Sequence, residues 1–346
     1  HLYERMPAPF GLIRYGVAPD HPRIKGIITA LHKVLDKPQV RLLGNVDYGT
    51  DITIDELRAH YDAVIFSTGA TDDRALDIPG IDLDGSYGAA QFVAWYDGHP
   101  DFPRTWPLEA EKVAVIGVGN VALDVARILL TDPDDLDRTD IADHALEVLR
   151  TSNIREVVVL GRRGVAQAGY TNPEMMALRH LPGVDLVIDP DDVEIDPVTQ
   201  GILDAADTES SVKAKISLAR RVAADGDTGA AKRLVLRYLS SPTEISGTDH
   251  VESISITRNE LQLTESGGVV AVPTDVTDAI ETTLVLRAVG YRGVPVPGVP
   301  FDDARGVISN VEGRVVTLHG GEPVQGVYAT GWVKRGPSGV IGTNKK

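Results

Sequence analysis

Lys112-Val-Ala-Val-Ile-Gly-Val-Gly-Asn-Val-Ala-Leu-Asp-Val-Ala-Arg-Ile-Leu-Leu130 decides the fold class. Val113 to Ile116 is a short apolar, largely β-branched run, and Leu123 to Leu130 carries apolar residues at helical spacing, so the stretch predicts strand, turn, helix. Between them lies G-x-G-x-x-A. Gly117 permits the tight turn, Gly119 lets a pyrophosphate approach the backbone, and the small Ala122 lets helix pack on strand. The helix N-terminus, opened by Asn120 and Val121, supplies amide donors and the positive end of the dipole. A purely structural glycine turn is the alternative reading. The strand before and the helix after are the context a dinucleotide site requires.

Glu156-Val-Val-Val-Leu160 is a second buried-type strand, and the order strand, helix, strand implies a parallel βαβ unit. An acidic insertion, Thr131 to Asp140, and a predicted helix over Asp143 to Arg150 intervene, so the next strand end lies further from the glycine loop than the usual ~20 residues. At that end an NAD site would place an acid for the ribose 2′-hydroxyl. Here stand Arg162 and Arg163, which suit a 2′-phosphate, so NADP(H) is preferred over NAD(H); a solvated surface pair is the bland alternative. Further strand-like runs occur at Val184 to Ile188, Leu234 to Leu239, Val251 to Arg258 and Thr283 to Val289, among loops rich in Asp, Thr and Gly. Tyr61 to Ala70 and Gly326 to Gly331 each read as a strand running into Thr-Gly, ending in Ala70 and Trp332, where open α/β sheets bind ligands. Either is also compatible with a plain strand-to-loop turn.

At 346 residues and 42% hydrophobic content the chain can bury a substantial core, and it predicts two domains. No stretch reaches the roughly 20 apolar residues of a membrane span, and His1 to Phe10 lacks signal-peptide order, so a soluble cytoplasmic protein is expected. The absence of cysteine excludes disulfides, thiolate metal sites and cysteine-ligated clusters from this sequence. Redox chemistry would then rest on an organic cofactor, with no metal site. The net charge of −16 argues against nucleic-acid binding. It is uneven: His1 to Gly44 carries seven Arg or Lys against three acids, and Val327 to Lys346 four against none. If the ends share a domain, that domain presents a basic face to an acidic partner; otherwise these are scattered solvated charges.

Arg14-Tyr-Gly-Val-Ala-Pro-Asp-His-Pro22, Gly117 to Arg127, Val159 to Gly164, Val289-Gly-Tyr-Arg-Gly293 and Gly331 to Asn344 together resemble ferredoxin-NADP reductases of the adrenodoxin-reductase type, above all the mycobacterial forms. The resemblance spans essentially the whole sequence. It implies an α/β, glutathione-reductase-like fold of two Rossmann-like nucleotide-binding domains, the first truncated and discontinuous. Residues 1–73 and 288–346 would form the FAD-binding domain, and 74–287 an NADP-binding domain entered over two crossing strands near Ala75 and Leu286. The implied activity is transfer of electrons from NADPH via FAD to a ferredoxin or similar acidic iron-sulfur protein. The family's first strand with its own G-x-G-x-x-G loop would precede His1, and a final helix and tail would follow Lys346.

By the same resemblance, Glu4 would bind the FAD adenosine ribose, Gly11, Leu12 and Val17 to His21 would lie along that cofactor, and Val46 near its adenine. Ala70 would pass its pyrophosphate, while Gly331, Trp332, Gly339, Val340 and Ile341 would surround the isoalloxazine. Asn120, Val121, Arg162, Arg163 and Glu174 would hold NADPH, and His21 and Asp124 resemble the pair that aligns nicotinamide and flavin. Read from the residues alone, Asp124 is equally an acid meeting a helix dipole, His21 a structural histidine in a turn, and Trp332 a core aromatic. Two other readings are an NADPH oxidoreductase subunit like the small subunit of glutamate synthase, against which the lack of cysteine counts, and a non-catalytic NADP-binding fragment.

Overall fold

The computed structural model describes residues 1–318 and 321–339. The chain divides into two compact units. Unit 1 comprises residues 1–17, 21–74 and the chain from Gly290 onward; unit 2 comprises 75–289 together with the three residues Ala18–Asp20.

Unit 2 is built on a six-stranded parallel sheet, in the order Ser86–Gly88, Leu284–Arg287, Lys112–Ile116, Glu156–Leu160, Lys232–Arg237, Val184–Ile188. The alternation of side chains along each strand assigns its two faces. Val113, Val115, Val157, Val159, Leu234, Leu236, Leu284 and Leu286 point into a large core shared with the helices Ala89–Tyr96, Asn120–Leu130, Asn172–Arg179 and Ser210–Asp225. Ala114, Ile116, Val158, Leu160 and Val285 point the other way, onto Ile245, Val251, Ile254, Ile256 and Ile280. Those residues belong to or adjoin an antiparallel sheet of Ser240–Ser246, Ser253–Leu263 and Val269–Glu281. A parallel sheet needs cover on both faces; here one cover is helical and the other is a second sheet.

The strand and helix predicted around the glycine loop form as Lys112–Ile116 and Asn120–Leu130, and the helix predicted after the acidic insertion as Asp143–Thr151. Two long elements went unread in the sequence: the Ser210–Asp225 helix and the Val269–Glu281 strand. Leu286, placed near a crossing strand, lies inside the parallel sheet between Tyr87 and Val115. The crossing itself belongs to unit 1, where Asp72–Asp73 pairs antiparallel with Tyr291–Arg292 and the Arg74 amide donates to the Gly290 carbonyl at 2.8 Å.

Unit 1 holds a parallel pair, Leu2–Glu4 with Leu42–Gly44. It also holds a four-stranded sheet in which Pro323–Ala329 lies parallel to Val64–Phe66, and Ala329 is paired with Phe66. Its core gathers Phe66, Val296, Val299, Ile308, Val315, Val327, Ala329 and Val333. Among the described residues no helix is long and apolar enough to cross a membrane.

One carboxylate ties the edge strand of unit 2 to its neighbour's approach. Asp185 accepts from the amides of Thr228 and Ala230, both at 2.9 Å, and from the Thr228 hydroxyl at 2.7 Å. These bonds, the Ala230 amide foremost, hold its pKa down to about 2. A folded-state pKa below the unfolded value of about 3.9 stabilises the fold fully above that value and loses the contribution as pH falls through 2. Asp185→Asn should therefore lower the thermal midpoint at pH 7, and the gap to wild type should close between about pH 4 and 2. A gap of constant size across that range contradicts the assignment.

Candidate functional site

The parallel strands of unit 2 end at a common edge, and three connections meet there: after Ile116, after Leu160 and after Arg287. Gly117 has φ +117°, and a Cβ on it would lie 2.2 Å from the Ala288 carbonyl oxygen, so the first turn admits only glycine against the neighbouring chain. Its amide donates to Leu160 O at 2.9 Å. Gly119 differs. Its backbone is extended at φ −102°, and a Cβ there would meet nothing within 4 Å. The loop thus offers an open hollow at the start of an eleven-residue helix whose first amides have no side-chain cap, the arrangement that receives a phosphate.

The hollow is walled by the segment that follows the second strand. Gly169 N donates to Val118 O at 3.0 Å, and a Cβ on Gly169 would stand 3.5 Å from the Gly119 Cα. Asn120 Oδ1 accepts the Thr171 amide at 2.9 Å, so this side chain clamps the start of the Asn172–Arg179 helix. Val121 is half-buried against the helical core. Lys215 reaches in from the Ser210–Asp225 helix to donate to Ala168 O while lying 5.0 Å over the Tyr170 ring, and burial lowers its pKa.

Arg162 is exposed and Arg163 half-buried, and among the described residues neither guanidinium has a hydrogen-bond or ion-pair partner. Their backbone, by contrast, is pinned. Asn259, buried on the antiparallel sheet, donates from Nδ2 to Arg162 O and to Ser241 Oγ, both at 2.8 Å. Leu239 N donates to Arg163 O at 3.2 Å and Ser240 N to Gly161 O at 2.9 Å. Leu239 holds φ +51° to do so, an uncommon conformation for a bulky residue. Beneath the turn, the Tyr170 and Tyr238 hydroxyls bond at 2.6 Å, and Tyr238 N donates to Asp192, itself paired with Arg258 at 2.7 Å. Burial raises the Asp192 pKa although Arg258 opposes it. Sequence reading missed Asn259, Leu239 and Asp192; their partners lie far off in sequence and carry no local motif.

Asp124 and Glu174 also meet in unit 2, through a group the sequence reading did not single out: Arg127 donates to Asp124 at 2.8 Å and to Glu174 at 3.2 Å. His21, expected to pair with Asp124, belongs to unit 1, where it precedes the four-residue Pro22–Lys25 helix.

The remaining predicted residues fall in unit 1. Glu4 ends its strand and accepts the Met6 amide at 2.9 Å, and Val46 N donates to Glu4 O at 3.1 Å, so the acid and the apolar residue share one strand-end turn. Gly11 opens the Gly11–Tyr15 helix with open space at its Cβ position, and Leu12 beside it is exposed. The two Thr-Gly turns emerge side by side from paired parallel strands. Gly69 (φ +79°) precedes Ala70, Gly331 (φ +71°) precedes Trp332, and neither glycine has an atom within 4 Å of a Cβ position. Trp332 stacks on Tyr291 with centroids 6.1 Å apart; its Nε1 is buried and has no partner among the described residues. Gly339 is exposed, while Val340 and Ile341 lie outside the described residues.

No family model matches the chain. It is 51% identical over 346 residues to the NADPH-ferredoxin reductase FprA of Mycobacterium tuberculosis, covering 100% of this chain and 74% of that protein. The chain belongs to the NADPH-ferredoxin reductase family of the adrenodoxin-reductase type. The human mitochondrial NADPH:adrenodoxin oxidoreductase is 41% identical over 355 residues, covering 99% of this chain and 70% of its own length. Among solved structures, that of M. tuberculosis FprA in complex with NADPH superposes with a TM-score of 0.93 at 50% identity, covering 99% of this chain and 74% of that one. The reductase family's two-domain α/β nucleotide-binding fold is therefore the fold of this chain.

The two loop glycines predict opposite phenotypes. Gly117→Ala should cost about 2 kcal/mol or more of stability, from a forced backbone and a clash with Ala288. Gly119→Val should leave the thermal midpoint near wild type and weaken NADPH binding about tenfold or more. Equal destabilisation by both variants in thermal melts, or undiminished NADPH affinity of Gly119→Val by titration, goes against this reading.

Proposed function

We propose that this chain transfers electrons from NADPH, through FAD, to a ferredoxin-type iron-sulfur protein in the cytoplasm. The observation that carries the reading is the open Gly119 hollow beside two guanidinium groups on a backbone-pinned turn, in a chain that matches NADPH-ferredoxin reductases along its whole length. NADPH would lay its pyrophosphate over Gly119 and the amides of Asn120 and Val121. Arg162 and Arg163 would take the 2′-phosphate with charge-assisted bonds. Asp124 and Glu174 would face the nicotinamide half.

Unit 2 then serves as the NADP-binding domain and unit 1 as the flavin domain. The unit 1 residues fit a flavin dinucleotide. Glu4 offers a carboxylate to ribose hydroxyls at a strand end, the Gly69-Ala70 and Gly331 turns leave backbone open to a pyrophosphate and a ring, and Trp332 offers a flat face and a buried donor without a partner among the described residues. Gly11, Leu12 and Val46 would supply apolar contact along the cofactor, and His21 would help align the two rings. Held by these residues, FAD would supply the chemistry that couples two-electron hydride transfer from NADPH to one-electron release. What the protein contributes is alignment and exclusion of water rather than a proton donor.

The acidic character of the partner is read from charge. Arg14, Arg23 and Lys334 all belong to unit 1, within the two basic stretches of an otherwise acidic chain.

Two measurements test the reading. Replacing Arg162 and Arg163 together with Ser should erase the preference for NADPH over NADH by about a hundredfold in kcat/KM, since each charged hydrogen bond contributes about 1.5–3 kcal/mol; an unchanged ratio rejects the coenzyme assignment. Reversing the charge at Arg14, Arg23 and Lys334 should slow association with an acidic ferredoxin and flatten its salt dependence. Wild-type association kinetics in that triple variant would remove the basic docking face from the account.

A further inference from the structure

Arg127 is the one cationic side chain of the Asn120–Leu130 helix, and its side chain is 6% exposed. Its guanidinium serves three carboxylates from three positions in the sequence. Nε and Nη2 hold Asp20 in a two-pronged bond at 2.5 and 2.8 Å, Nη2 reaches Asp124 at 2.8 Å, and Nη1 reaches Glu174 at 3.2 Å. Burial alone would lower the Arg127 pKa, but the bonds and charges of Asp20 and Asp124 raise it well above its ordinary value.

A position that needed only packing would be filled at less cost by Leu or Met, because burying ions carries a desolvation penalty that apolar residues avoid. Three acids around one cation also repel one another. Such a group is stable in this geometry only because a guanidinium is a planar fork with five donors, able to fix several carboxylates in set directions where an ammonium would act as a single point.

Asp124 lies four residues past Asn120, about 6 Å along the helix from the phosphate hollow. Glu174 stands in the first turn of the helix whose start Asn120 clamps. The Arg162–Arg163 turn belongs to the adenosine side of the hollow, which leaves these two acids for the other half of the dinucleotide. That half carries a carboxamide with N–H donors and a ring that becomes cationic on oxidation, and carboxylates suit both.

We infer that Arg127, anchored by Asp20, is a positioning residue that sets Asp124 and Glu174 in the orientation that receives the nicotinamide end of NADP(H). The inference rests on the NADPH reading above. Asp20 fixes the fork through Nε and Nη2, while Nη2 also holds Asp124 and Nη1 holds Glu174. The grip on the phosphates is separate, at Gly119 and the arginine pair.

The test uses the full-length protein with its flavin bound, Asp20→Asn as the milder variant and Arg127→Lys as the second. In stopped-flow reduction, Asp20→Asn should slow flavin reduction at saturating NADPH about tenfold to a hundredfold, as a small misalignment of reactants does. The NADPH dissociation constant should stay within about threefold of wild type, because the phosphate contacts remain. Arg127→Lys keeps the charge without the fork and should not restore the rate. Thermal melts and NADP+ titration of the same variants separate positioning from folding: a merely structural arginine would lose stability, affinity and rate together. Wild-type reduction rates in Asp20→Asn or in Arg127→Lys, or a rate loss matched by an equal loss of affinity, overturn the inference. A wild-type protein that NADPH fails to reduce overturns the functional reading itself, whereas normal wild-type reduction with an unaltered Asp20→Asn overturns this inference alone.

Discussion

Close backbone approach at the carboxyl edge of the unit 2 sheet is the constraint on which the rest depends. Gly117 lies so near Ala288 that a single added carbon would meet its carbonyl at 2.2 Å, and a Cβ on Gly161 would meet Val118 at 2.8 Å. Three strand ends can converge only because side chains are missing at these points. The convergence makes the hollow at Gly119, and the hollow gives the helix N-terminus something to face. Both faces of the sheet behind that edge are covered, one by helices and the other by an antiparallel sheet whose Asn259 reaches back to hold the Arg162 carbonyl.

That antiparallel sheet bears on the proposed recognition of a phosphate. It covers apolar residues that alternate on the parallel strands, and together with Leu239 just before it, its Ser240 and Asn259 supply the donors that hold the Gly161–Gly164 turn. Two flexible arginines on a loose loop would lose side-chain and backbone entropy together on meeting a phosphate. Here the backbone share is already spent in folding, so only the side chains remain to be ordered.

The strand-loop-helix at Lys112 to Leu130 was legible because each part carries a local signature: β-branched run, spaced glycines, helical periodicity. The Arg162–Arg163 pair was legible for the same reason, being at the end of the next apolar run. The Ser210–Asp225 helix escaped although Val212, Ile216, Ala219 and Ala223 fall at helical spacing, because polar, turn-forming residues on either side made the stretch read as loop. The Val269–Glu281 strand escaped because Pro273 and three acids argue against a strand; it is an edge strand, and Pro273 sits beside a register shift opposite Asn259, where a proline is tolerated. No local pattern announces that Arg127 gathers Asp20 from 107 residues away and Glu174 from 47. Such contacts arise from packing of remote segments, which a single sequence does not display.

The central claim is that the edge of the unit 2 sheet recognises a phosphate on the adenosine 2′ position. Calorimetric titration with adenosine 2′,5′-bisphosphate and with adenosine 5′-monophosphate isolates that contact from the nicotinamide and from the flavin. The account predicts that the bisphosphate binds at least about a hundredfold more tightly and that this advantage shrinks as salt is added. Equal affinity for the two nucleotides, at low and high ionic strength alike, would contradict it.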